Sequence, residues 1–116
     1  MNEVKARGRY VGMSAQKVRR IVDLVRGQPA ETALTTLKFM PNVAARPVAK
    51  VLRSAIANAE ENFGLNSEDL VVIQAYADEA PTRKWRRFGA RGRFKPILRR
   101  SSHITIVLKE REGAAA

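Results

Sequence analysis

Nine cations, Arg83, Lys84, Arg86, Arg87, Arg91, Arg93, Lys95, Arg99 and Arg100, fall within residues 81–100, a stretch that contains no Asp or Glu. The chemistry open to such a segment is recognition of a polyanion, because a guanidinium presents a planar fork of donors that matches two oxygens of a phosphate. Trp85, Phe88 and Phe94 place three of the seven aromatic residues in the same segment. They suit stacking on unpaired bases, and they equally suit cross-strand packing within a hairpin. Gly89 and Gly92 permit a tight tip, and secondarily a close approach to a nucleic-acid backbone.

Other chemistries lack their residues. The chain has no Cys, which excludes a disulfide framework, a thiolate zinc site and a thiol nucleophile. His103 is the single His, so no His pair is available to a metal, and neither metal nor cofactor is expected. It reads as a strand residue whose ring can also donate to a phosphate. Glu60, Glu61, Glu68 and Asp69 lie close together in sequence but read as solvated surface, and no enzymatic activity is expected. Residues 90–94 superficially resemble an RNA-recognition signature without its aromatic sequence, Arg91-Gly92 is one step and not a repeat, and no Gly-rich phosphate loop is present.

The charge is local. Of a net +11 over 116 residues, residues 1–26 hold seven basic and two acidic side chains, residues 27–80 four and seven, residues 81–100 nine and none, and residues 101–116 two and two. A charged arm on an ordinary body is the simplest reading, in one domain spanning 1–112 with 81–100 as the arm and 113–116 a disordered tail. Nucleic acid fits this field better than a membrane surface. No apolar run approaches the roughly 20 residues of a spanning helix, and no secretory apolar region opens the chain.

The elements that must hold the arm can be read from periodicity. Alternation over 3–11, with Val4, Ala6, Gly8 and Tyr10 on one face and Lys5, Arg7 and Arg9 on the other, predicts a strand whose outward cations either form a solvated edge that discourages aggregation or, the favoured reading, meet phosphates. Ser14 caps a helix with Ala15, Val18, Ile21, Val22 and Val25 on its apolar face, Lys17, Arg19, Arg20 and Arg26 mainly opposite, and Gly27 at its end. Pro29 opens a second helix carrying Ala33, Leu34, Leu37 and Met40, which Pro41 stops. A third carries Val48, Val51, Leu52, Ala55, Ile56 and Ala59 and ends at Gly64, with Leu65 folding back. It starts either at Asn42, in which case Pro47 kinks it, or just ahead of Pro47. Strands follow at 70–77, with Val71, Ile73, Ala75 and Ala77 on one side, and at 102–109, with Ile104, Ile106 and Leu108 inward and His103, Thr105 and Lys109 outward. Residues 81–100 are too long for an ordinary hairpin loop. Folded near Gly89 to Gly92, they give about nine residues per side and a reach on the order of 30 Å.

Ser14-Ala15-Gln16-Lys17-Val18-Arg19, Ser54-Ala55-Ile56-Ala57-Asn58-Ala59-Glu60, Asp78-Glu79-Ala80-Pro81 and Arg99-Arg100-Ser101-Ser102-His103-Ile104-Thr105 together resemble the bacterial large-subunit ribosomal protein L-twenty-two family, over about residues 4–109 and in order. The resemblance implies an α+β fold, three helices packed on a small three-stranded antiparallel sheet with a long protruding β-hairpin. It implies a body near the outer surface of the large ribosomal subunit, beside the peptide exit tunnel, and a hairpin threading inward through ribosomal RNA. The tip, Phe88, Gly89, Ala90, Arg91 and Gly92, would line the tunnel beside the nascent peptide. Lys17, Arg19 and the arm cations ending at Arg99 and Arg100 would contact large-subunit ribosomal RNA and aid its assembly. With them the expected RNA contacts are Lys5, Arg7, Arg9, Arg20, Trp85 and His103. Neighbouring large-subunit proteins would complete the surroundings of a cytoplasmic chain that is not a homo-oligomer. The competing reading is a free RNA-binding regulator or RNA chaperone. It calls for a self-contained groove-reading helix that the sequence does not show.

Overall fold

The computed structural model describes residues 3–81, 83–88 and 94–111, the two hairpin strands by their backbone. In chain order the elements are β1 (Glu3–Val11), α1 (Ala15–Val25), α2 (Ala30–Lys38), α3 (Ala45–Phe63), a single 3₁₀ turn (Ser67–Asp69), β2 (Leu70–Glu79), β3 (Arg83–Phe88), β4 (Phe94–Arg99) and β5 (Ser102–Glu110). β5 lies between β1 and β2, antiparallel to both. The expected α+β architecture is present.

The helices pack on one face of this sheet because each carries one apolar stripe. In α1 the stripe is Ala15, Val18, Ile21, Val22 and Val25, all buried as their spacing requires. α3 buries Val48, Val51, Leu52, Ala55 and Ala59, while Ile56 is only partly buried at the margin. The sheet answers with Val4, Ala6, Leu70, Val72, Ala75, Ala77, Ile104, Ile106 and Leu108. Burying a Val, Ile or Leu side chain contributes about 1.5–3 kcal/mol, so this layer alone can hold a small body together. Gly64, at φ 64°, ends α3 in the left-handed region, and Leu65 behind it packs on the core.

Four expectations change. Pro29 precedes α2 as its cap and does not lie within its first turn; of the two starts read for α3, the one just ahead of Pro47 holds, since α3 begins at Ala45 with Pro47 its third residue and no kink is needed. A proline in the first turn removes an N–H that has no intrahelical acceptor anyway. In β2 the alternation slips. The register passes from Val72 opposite Leu108 to Gln74 opposite Val107, so Ile73 is an inserted residue, and Leu70 and Val72 face inward where Val71 and Ile73 were expected. A second insertion lies between Gly8 and Val11 in β1, where Tyr10 adopts φ 54° and stands 63% exposed instead of pointing to the core. Thr105 belongs to the outer row but is buried, because the central strand places it between Arg7 and Tyr76 in register.

β2 and β5 continue outward into the arm. Ala80 N–H donates to Ser101 O (3.0 Å) across its root. Beyond it β3 and β4 pair antiparallel from Arg83 opposite Arg99 to Phe88 opposite Phe94. The extents are 69 × 25 × 18 Å and the radius of gyration is 17.4 Å, against about 13 Å for a compact chain of this length, which is what a protruding ribbon requires. Gly89, Ala90, Arg91, Gly92 and Arg93, where the tip was expected, and Gly113–Ala116, where a disordered tail was expected, lie outside the described residues.

Candidate nucleic-acid interface

The arm follows from the register. Arg83 sits opposite Arg99 and Arg87 opposite Lys95, so the ladder juxtaposes like charges. Like charges directly across an antiparallel pair are destabilising, and two isolated strands are marginal in water. A ribbon of this composition therefore gains order from a counter-charge supplied from outside. Trp85 lies opposite Ile97 and Phe88 opposite Phe94 in the same ladder.

On the body, the helix-free face of the sheet carries the cations predicted in β1. Lys5 and Arg7 are exposed opposite Val107 and Thr105, and Arg9 is exposed at the bulge. Tyr76 completes the Arg7–Thr105 row from the other edge and is 39% exposed. His103 lies half-buried in the next row of the same face. Its Nδ1 accepts from the Tyr10 backbone N–H (3.1 Å), and the two rings meet edge to face at 4.9 Å. That acceptor role places the neutral imidazole proton on Nε2. His103 thus holds the β1 bulge, and its remaining nitrogen is the one suited to a phosphate.

Where the arm joins the body there is a groove of about 600 Å³. One wall is the β1–α1 turn and the first turn of α1, from Gly12 to Lys17; the other is Glu79, Ala80, Arg100 and Ser101 at the arm root. Lys17 and Arg100, 83 positions apart, are brought to one cleft with a single carboxylate, Glu79. Ser14 caps α1 by position, yet its side chain makes no cap hydrogen bond and the first turn holds no acid. The positive end of the helix therefore adds to the field of the two cations. The cleft is chemically suited to a phosphate oxygen.

The α1 cations separate by role. Lys17 and Arg20 are exposed. Arg19 Nε donates to Ala77 O (3.0 Å), and Arg26 Nε and Nη2 donate to Ala75 O (3.2 and 2.6 Å) while Nη1 pairs with Asp23 (2.9 Å). Both close the outer edge of β2, whose carbonyls have no strand partner on that side. Sequence reasoning put Arg19 and Arg26 on the polar side of a helix and did not anticipate this use. It also missed Tyr10, Tyr76 and the groove residues Gly12, Met13 and Ser101. Lys17 and Arg100, both expected as RNA contacts, were what the sequence offered toward that groove.

Among the described residues no group of three or more His, Cys, Asp or Glu is placed to hold a metal, and no helix is long and apolar enough to cross a membrane. The family described as Ribosomal protein L22p/L17e matches this chain over residues 6–109. A "Large ribosomal subunit protein uL22" from Synechococcus sp. (strain JA-2-3B'a(2-13)) is 54% identical over 114 residues, 98% of this chain and 92% of the relative. One of the same description from Dehalococcoides mccartyi (strain BAV1) is 54% identical over 108 residues, 93% of this chain and 99% of its own length.

Proposed function

Since the chain belongs to the ribosomal protein L22p/L17e family, a family of structural and not catalytic proteins, we propose that it is a cytoplasmic constituent of the large ribosomal subunit that binds large-subunit ribosomal RNA and aids its assembly. The contacts fall in three sets. Lys5, Arg7, Arg9 and His103 act from the open sheet face. Lys17, Arg19, Arg20 and Arg100 act around the arm-root groove, Arg19 through the guanidinium nitrogens not held by Ala77. Arg83, Lys84, Trp85, Arg86, Arg87, Arg91, Arg93, Lys95 and Arg99 act along the arm. Phe88 to Gly92 are the tip residues that line the exit tunnel beside the nascent peptide, a role that the family resemblance supports. Neighbouring large-subunit proteins are the other partners, and the chain acts as one copy, not a homo-oligomer.

The observation that carries the reading is the ladder that opposes Arg83 to Arg99 and Arg87 to Lys95 in a segment with no acid. Its test is excision of residues 83–95, closed by a short Gly-rich turn. The body should keep its helical circular dichroism, because α1, α2 and α3 and the strands β1, β2 and β5 they pack on all lie outside the excised piece. RNA affinity should collapse. Seven cations leave, so the slope of log K against log salt should become shallower by up to about 5, at roughly 0.7 per phosphate contact. A shortened chain that binds large-subunit RNA with unchanged affinity and slope refutes the arm as the main contact. Finding the full chain mostly off ribosomes in a cell extract refutes the ribosomal reading as a whole.

A further inference from the structure

Between α2 and α3 lies a second groove, of about 680 Å³, on the opposite side of the charge argument from the arm. Its floor is aliphatic, made by Leu34, Leu37, Met40, Pro47 and Ala49. Its rim is Lys38, Arg46, Lys50 and Arg53. These four are every basic residue in the net-acidic stretch 27–80, and none of the seven acids of that stretch lines the groove. Arg46, Lys50 and Arg53 follow one another at four and three residues, which puts them on one face of α3. All four rim side chains are exposed, and the ion pairs among the described residues, Arg26–Asp23 and Arg111–Asp69, include none of them. Beside the groove, Phe39 is 78% and Val43 65% exposed on the α2–α3 connection.

We propose that the α2–α3 groove docks an acidic amphipathic helix of a neighbouring protein, its apolar side chains on the Leu34–Leu37–Met40–Pro47 floor and its carboxylates on the four rim cations. Charge complementarity sets the sign of the partner, and the floor sets its class. RNA would answer the rim cations with phosphates and stack bases on the Arg46 or Arg53 guanidinium or on Phe39, which would leave the aliphatic floor of Leu34, Leu37, Met40 and Pro47 uncovered. Aliphatic anchors spaced three and four apart along a helix fit a trough between two helices, and flanking carboxylates then meet the rim. This surface is separate from the sheet face and the arm, so it adds a protein contact to the RNA contacts proposed above.

The test uses the full-length chain and three synthetic peptides of about 18 residues: an amphipathic helix with Leu on one face and Glu on the other, the same peptide with every Leu replaced by Ser, and the same with every Glu replaced by Gln. Fluorescence anisotropy should show the first binding at least about tenfold tighter than either control, since only the groove reads both properties. Lys50→Glu combined with Arg53→Glu should remove that advantage while leaving binding of a large-subunit RNA fragment within about twofold. Equal binding of the Ser control overturns the proposal, because charge alone would then explain capture by the arm. So does an amphipathic advantage that survives the double reversal, or a reversal that abolishes RNA binding. In intact large subunits, a photocrosslinker at position 39 should form an adduct with an acidic protein segment, and an adduct with RNA counts against the proposal. The peptide measurement stands without ribosomes, so its failure is distinct from failure of the ribosomal reading.

Discussion

Replacing Gly8 with Ala should destabilise the body, although propensity argues the other way. In a strand, Ala is ordinarily favoured over Gly by about 0.5–1 kcal/mol, since Gly loses more backbone freedom on folding. Here a Cβ on Gly8 would stand 2.7 Å from Val51 Cγ2. Val51 is buried on α3 and β-branched, so its methyl cannot swing to another rotamer within the helix. α3 must lift from β1 or the strand must shift. Overpacking of this kind costs about 1–3 kcal/mol. With an unfolding entropy of about 2.1 cal/mol/K per residue, a 116-residue chain loses about 4–12 °C in Tm. The assay is thermal unfolding of Gly8→Ala, Val51→Ala and the double variant, followed by circular dichroism. Val51→Ala alone should cost about 2 kcal/mol through its lost methyls. In its background Gly8→Ala should cost nothing, a coupling of at least about 1 kcal/mol. Equal losses in both backgrounds would refute the claim that this one contact sets the distance between α3 and the cationic strand.

Arg26→Ala should lower stability by about 1 kcal/mol, the lower end for a charged donor to a carbonyl because the side chain is half exposed, whereas Arg20→Ala should leave Tm unchanged and weaken RNA binding. Thermal unfolding and filter binding on the two variants separate these roles. His103→Phe keeps an edge-to-face ring against Tyr10 but removes the acceptor for its backbone N–H; a loss of about 1 kcal/mol in urea unfolding is expected, and no loss would show that the Tyr10 N–H finds another partner. Pro47→Ala should change stability by less than about 1 kcal/mol, since the proline occupies the first turn of α3, while a gain of 3 kcal/mol or more would mean it interrupts the helix.

The helices were legible because their signal is local. Val18, Ile21, Val22 and Val25 announce a buried stripe without reference to anything else in the chain, and α1 buries each of them. Strand faces were legible only until a bulge. Whether Ile73 is an inserted residue, or Tyr10 turns outward, is decided by how β5 registers against its neighbours, and β5 lies 93 residues from Tyr10 at His103. Thr105 is buried by position for the same reason: Arg7 and Tyr76 flank it only once the order β1-β5-β2 exists. The arm's charge could be read directly, as could the Lys5–Arg7–Arg9 row. Which cations converge could not, because Lys17 and Arg100 come to line one groove, and Arg19 and Arg26 meet the edge of β2, only through the packing of α1 beside that strand.

The body and the arm are stabilised by different partners, and the topology explains how one chain holds both. β2 and β5 are neighbours in the sheet, so the chain leaves and re-enters the body side by side, with Ala80 N–H donating to Ser101 O and the Ser101 hydroxyl donating to Pro81 O across the root. Up to that root the ladder belongs to the three-stranded sheet, whose inward Ala75, Ala77, Ile104 and Ile106 are buried in the core. Beyond it the register brings Arg83 to Arg99 and Arg87 to Lys95, so lengthening the ladder adds like-charge repulsion. The free energy that orders the outer ribbon must then come from whatever neutralises it, and neutralisation by phosphates is strongest where a narrow ribbon can be contacted on both faces. On the function proposed above, an arm without acids suits insertion between RNA segments, while the acids lie outside the arm, where the core supplies the stability they do not.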